Sequence, residues 1–263
     1  MQMPRIVPRW TCLALLGVAL VGCRHQTVAT ATAVPAPAGT AKHFTSKKSN
    51  TTYAYVVVPQ TDEKFEKFAV PTPGLAAPSP DNFRGTDRKA AKTSLASGSP
   101  EEFQDVAALL GSSLFVADGK MLEHKPPIPK DETSDRVAEE RHNVVITGFL
   151  YASTKESDND FHCIVGMDPQ EPQQFLNVEV SGLPVSGPFR ATLKTVREAF
   201  QDFFADDLPK GGGYTKFNPP IKVRITGSIF FDIDHKAGVI GPTGFRPKTA
   251  WEIHPVSEIV FEP

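Results

Sequence analysis

Residues 189–204 read FRATLKTVREAFQDFF, and here the chain changes its period. Leu193, Val196, Phe200 and Phe203 fall at i, i+3, i+7 and i+10, which lines four apolar side chains along one stripe of a helix. On either side the spacing is that of strands. Upstream lie three short β-branched and aromatic runs, NVVITGFLYA (143–152), DFHCIVGM (160–167) and FLNVEV (175–180). Downstream, IKVRITGSIFFD (221–232) sets Val223, Ile225, Ile229 and Phe231 on one face and Lys222, Arg224, Thr226 and Ser228 on the other. A fifth run, AWEIHPVSEIVF (250–261), is interrupted at Pro255, where a bulge or an edge position is expected. Three strands, a helix and two strands predict a mainly β domain over residues 141–263. The expected form is a five-stranded OB-fold-like Greek-key barrel with one helix between strands 3 and 4. A small α+β sandwich with different strand pairing is the alternative. Gly148 and Gly227 sit inside strand patterns, where glycine marks a bend or a close backbone approach.

Outward toward the N-terminus the pattern fades. Residues 24–140 are rich in Ala, Thr, Ser and Pro and carry no sustained helical or alternating period. The expectation is a largely disordered tether over residues 23–140. Two pieces could be ordered within it. One is the run Tyr53–Val58. The other is a helix near residues 100–110, with Ser99 as cap and Pro100-Glu101-Glu102 in its first turn.

The first residues carry an export pattern. Arg5 and Arg9 precede an apolar run from Trp10 to Val21, which ends in Leu20-Val21-Gly22-Cys23. That run is too short for a spanning helix and has the layout of a secretory signal over residues 1–22. Its last four residues resemble the bacterial lipobox, which implies a diacylglycerol on Cys23 and a membrane-anchored protein of the bacterial envelope. In an organism with two membranes, Arg24 rather than Asp after that cysteine favours the outer membrane, facing the periplasm. An uncleaved anchor, or an ordinary signal cut a few residues later, is the other reading. With Cys12 in the signal and Cys23 acylated, Cys163 has no partner within the chain and reads as a small buried hydrophobe.

The pieces DNDFH (158–162), FLNVEV (175–180), ITGSIFFDIDH (225–235) and TAWEIHPV (249–256) resemble signatures found together in secreted bacterial domains of uncharacterised function. That resemblance implies a shared fold and no activity. Asp158, Asp160, His162, Asp232, Asp234, His235, Glu252 and His254 all lie at strand ends or in the two loops that frame an OB ligand face. Carboxylates and imidazoles are the donors that divalent metals need. Converging, they could serve a metal-dependent hydrolase of phosphodiesterase or nuclease type. They could equally be a structural network, with an Asx-type turn at Asp158-x-Asp160 and His254 donating to a carboxylate that pins the last strand. The first loop, STKESDND (153–160), is acidic, and the second, residues 232–249, carries Lys236, Arg246 and Lys248.

Composition narrows the functions. A net charge of −2, with 12 Lys and Arg against 15 Asp and Glu in residues 141–263, argues against nucleic acid, which calls for a basic groove. Trp251, Phe161, Phe175, Phe230 and Phe231 could stack on bases, yet Phe230 and Phe231 are adjacent and one must face the core. No CxxC, HExxH, GxSxG or phosphate-binding glycine loop is present, so no cofactor is expected. The 24 prolines, about 9% of 263 residues against a usual ~5%, divide as 2 in the expected signal, 11 in residues 24–140 and 11 in residues 141–263, where they cluster at loops. The sum is a lipid-anchored binding or interaction module, with an envelope protein or a small molecule as its partner and the hydrolase as alternative.

Overall fold

The computed structural model describes residues 40–59, 81–235 and 237–262, all within one compact unit. The expected signal peptide and Cys23 lie outside the described residues. In chain order the elements are β1 (Lys42–Thr45), β2 (Thr52–Pro59), α1 (Lys89–Lys92), β3 (Glu101–Phe103), α2 (Val106–Leu110), α3 (Asp118–Leu122), β4 (Asn143–Lys155), β5 (Phe161–Gly166), β6 (Phe175–Val180), α4 (Arg190–Phe204), β7 (Gly213–Phe231) and β8 (Trp251–Phe261). Among the described residues, no helix is long and apolar enough to cross a membrane.

The protein is mainly β, and its strands close into a ring. β4 pairs with β5, β5 with β6, β6 with β8, β8 with β7, and β7 returns to β4. Only the β6–β8 pairing within this ring is parallel. Alternation decides which way each side chain turns. Phe161, Cys163 and Val165 of β5 and Leu176, Val178 and Val180 of β6 enter the core. There they meet Val196, Phe200 and Phe203 of the α4 stripe. Phe161 lies 4.8 Å from Phe200, and Phe203 stacks on Phe261 at 3.8 Å, ring centre to ring centre. Each such phenylalanine contributes about 1.5–3 kcal/mol by leaving water. Cys163 is buried in this core as a thiol, and burial pushes its pKa up to about 12, so it stays protonated and inert.

Among the described residues the sheet has eight strands rather than five. β1 and β2 form a hairpin whose second strand pairs with the first third of β7, and β3 lies parallel to β4. β7 is longer than its alternating part suggests. It begins at Gly213, and Pro219 and Pro220 fall in an irregular stretch, between the pairs Lys216↔Ala152 and Ile221↔Leu150, where no ladder hydrogen bond is asked of them. β8 shows the expected irregularity near Pro255, since its register against β7 shifts on both sides of Gly227.

The described residues of the expected tether instead pack on the barrel. Val106, Leu109 and Met121 are in the core, and Arg88, Arg136 and Glu140 are buried. The expected helix over 100–110 is also shorter than its cap suggested. Residues 101–103 are drawn into pairing with β4, so the helix starts at Val106, and Asp105 rather than Ser99 accepts from the Ala108 N–H at 2.8 Å.

Gly227 marks a close approach, as its place in a strand suggested. A methyl group there would lie 2.5 Å from Ile253 Cγ2 and 2.7 Å from the Pro255 carbonyl oxygen. Gly227→Ala is expected to destabilise the protein by about 1–3 kcal/mol through overpacking, measured by urea unfolding. An unchanged midpoint would show that β8 can move away.

Candidate functional site

The strand faces turned away from the core carry the polar residues. His162 of β5, Asn177 and Glu179 of β6, and Glu252 and His254 of β8 alternate with core residues and gather on the opposite side of the same strands. The antiparallel register sets His162 directly across from Glu179, and the parallel pairing sets Asn177 beside Glu252. Asp158 and Asp160 enter from the β4–β5 loop, Asp232 and His235 from the start of the β7–β8 loop, and Lys92 from the end of α1.

The result is a buried charged cluster with Glu179 at its centre. Its Oε1 accepts from His162 Nδ1 at 3.0 Å, and its Oε2 lies 3.3 Å from His254 Nδ1. His254 Nδ1 also bonds Glu252 Oε1 at 3.0 Å, while its Nε2 faces Asp160 Oδ2 at 3.3 Å. His162 Nε2 lies 3.2 Å from Asn177 Oδ1. His235 Nδ1 is 3.4 Å from Glu252 Oε2 and 3.7 Å from Asp232 Oδ2. Lys92 Nζ lies 3.2 Å from the same Asp232 oxygen. Asp158, Asp160, His162, Glu179, Asp232, Glu252 and His254 are all at most 3% exposed.

The expected residues thus converge, with one exception. Asp234 stays outside, half-exposed and paired with Lys130 at 2.5 Å. The Asx-type turn is present too, with Asp160 N donating to Asp158 Oδ1 at 3.1 Å. Glu156, from the acidic first loop, lies 3.3 Å from His162 Nδ1, and three participants lay beyond the sequence reading: Asn177, Glu179 and Lys92. FLNVEV held the signal for two of them, because its alternation places Asn177 and Glu179 together on the face away from Leu176, Val178 and Val180. An isolated glutamate on such a face ordinarily reads as solvent-facing.

Burial and neighbours split the ionisations. Burial and then the nearby Asp160 push Asp158 up to about 7. Burial also raises Asp160, to about 6, although His254 opposes it. Glu179 is held well below the ordinary carboxylate range because His254 and His162 outweigh its burial. Asp232 is lowered likewise, with His235 and Lys92 overcoming desolvation. For His235, burial is outweighed by Asp232 and Glu252, and its pKa rises to about 10. His254 is raised well above its usual value, chiefly by Glu179 and Asp160 against the cost of burial. The cluster therefore stores protons where charge would otherwise be uncompensated.

Segment 81–140 roofs this face. Arg136 donates to the carbonyl oxygens of Ile229 and His254 at 2.7 Å and to those of Ala91 and Ser94 at 2.8 Å. Arg88 lies over the Phe230 ring at 4.6 Å. A narrow cleft lined in part by Arg88, Lys92, Lys130 and Asp232 opens beside the cluster. No family model matches the chain, and neither does any curated protein or solved structure.

Proposed function

We propose that the protein is a lipid-anchored bacterial envelope protein whose barrel is an OB-type binding module. The ring β4-β5-β6-β8-β7, with α4 between β6 and β7, supports the OB assignment, since that fold closes five strands into a Greek-key barrel. OB ligands meet strands 2 and 3 and the loops 1–2 and 4–5. The corresponding places here are β5, β6 and the loops that carry Asp160 and His235, which is where the cluster sits. One observation carries the choice of module over hydrolase. Seven of the cluster's acids and imidazoles are at most 3% exposed, so a phosphodiester cannot reach them without removal of the roof. Function is argued from this site and not from the barrel, because OB barrels serve many chemistries.

The reading is tested in two parts. Cys23→Ala is expected to move the protein from the membrane pellet to the soluble or unprocessed precursor fraction, and mass spectrometry of the wild type is expected to place a diacylated N-terminus at Cys23. An unmodified N-terminus elsewhere would overturn the anchor. For the module, the purified chain in detergent is expected to leave bis(p-nitrophenyl) phosphate intact with Mg²⁺, Mn²⁺ or Zn²⁺ present. Metal-dependent turnover that disappears in His254→Gln would make the barrel a hydrolase.

A further inference from the structure

We propose that the module's outer cluster is a binding site for one divalent first-row transition-metal ion, held by His235 Nδ1, Glu179 Oε2 and Glu252 Oε2. The inference rests on the binding-module reading in naming what that site takes up.

In each carboxylate one oxygen is held: Glu179 Oε1 by His162 at 3.0 Å, Glu252 Oε1 by His254 at 3.0 Å, and Asp232 Oδ1 by the Asp234 N–H at 2.9 Å. The second oxygen of all three is buried without a hydrogen-bond partner, and so is His235 Nδ1. The atoms offered by Glu179, His235 and Glu252 lie within 4.8 Å of one another. Leaving this many buried polar atoms without hydrogen bonds is costly, and native interiors rarely do so.

The spacing points the same way. Charged hydrogen bonds close to about 2.7–2.9 Å. His235 Nδ1 stands farther off, 3.4 Å from Glu252 Oε2 and 3.7 Å from Asp232 Oδ2. Bonds of about 2.0–2.2 Å to a tetrahedral ion place neighbouring donors about 3.3–3.6 Å apart. The His235–Glu252 gap is long for a hydrogen bond and matches the edge of a coordination tetrahedron.

The setting completes the case. His162 and His254 bond the opposite oxygens of Glu179 and Glu252, the orienting role that outer histidine–carboxylate contacts play around metals, and His254 Nδ1 also lies 3.3 Å from Glu179 Oε2. His235, partly exposed, and the cleft bordered by Lys92 and Asp232 provide the way in. An imidazole nitrogen among the donors favours Zn²⁺ over Mg²⁺ and Ca²⁺.

The test uses the full chain in detergent, stripped with EDTA and titrated with Zn²⁺, Mn²⁺, Mg²⁺ or Ca²⁺ by calorimetry. The expected result is one equivalent of Zn²⁺, bound at least 100-fold more tightly than Mg²⁺ or Ca²⁺, with a rise in Tm. Glu252→Gln, which preserves the contact to His254, is expected to weaken Zn²⁺ at least 100-fold. Asp234→Asn, outside the donor set, is expected to change it less than twofold. Should Glu252→Gln fail to fold, X-ray absorption of the Zn²⁺-loaded wild type decides: one imidazole among oxygen donors supports the site, and several imidazoles overturn it. Absence of stoichiometric Zn²⁺ uptake, or uptake that survives Glu252→Gln, also overturns it. Phosphodiester turnover with Zn²⁺ bound would instead remove the module reading and leave the metal site standing.

Discussion

Glu140→Ala is expected to cost about 3–5 kcal/mol, the range for removing one partner of a buried ion pair. Glu140 is fully buried and takes both nitrogens of the Arg88 fork, at 2.7 and 2.6 Å. It also accepts the backbone N–H of Phe231 and of Val137, each at 3.0 Å. One carboxylate thus ties the start of segment 81–140, the end of that segment and the last residue of β7. Its removal leaves the Arg88 guanidinium in a dry site with only the Asp135 and Phe231 carbonyl oxygens, at 3.2 and 3.5 Å, and the Phe230 ring. Against a total stability of about 5–15 kcal/mol this is a large fraction. Urea unfolding of the purified chain measures it. Adding Arg88→Met to Glu140→Ala is expected to recover part of the loss, because the stranded charge leaves with it. A loss below about 1 kcal/mol in the single variant would mean that segment 81–140 is not clamped to the barrel.

That clamp also shows what could and could not be read in the sequence. Strands 143–155, 161–166, 175–180 and 251–261, together with helix 190–204, announce themselves by period, because each has one face in the core and is long enough for alternation to show. α1, α2 and α3 are four or five residues long, little more than one turn, so no 3.6-residue period can form in them. Segment 81–140 is held largely by arginines reaching main-chain carbonyls, and a carbonyl has no letter in a sequence. Hence Arg88 and Arg136 passed as ordinary charges in a proline-containing stretch. The cluster was legible where chemistry and strand ends coincided, at Asp158, Asp160, His162, Asp232, His235, Glu252 and His254. Its centre, Glu179, was not. Only the pairing of β6 with both β5 and β8 turns an unremarkable strand glutamate into the residue that three histidines approach.

Those histidines make stability depend steeply on pH, and the EDTA-treated protein is expected to lose stability continuously from about pH 5 to pH 9. His235 is raised to about 10, and His254 well above its usual value. A group whose pKa rises on folding stabilises fully below its unfolded value, near 6.5 for histidine, and that contribution is lost as pH climbs through the folded value. Each imidazole can therefore remove up to about 1.4 kcal/mol per pH unit above neutrality. Asp158, raised to about 7, and Asp160, raised to about 6, have the same sign at lower pH, since the folded state holds their protons longer. Glu179 and Asp232 act oppositely: their lowered values contribute stability above the ordinary carboxylate range, which disappears as pH falls through it. The balance puts the maximum near pH 4–5 and the steepest fall between pH 7 and 9. Tm measured across that range checks it. His254→Gln is expected to flatten the profile, and a wild-type profile already flat from pH 7 to 9 would mean that both imidazoles are neutral in the folded protein. Zn²⁺ should act against the slope, because a bound ion displaces the His235 proton and gains affinity as protons become scarce. The Tm increment from Zn²⁺ is therefore expected to be larger at pH 8 than at pH 6, and an increment that shrinks with pH would separate proton storage from metal binding in favour of the former.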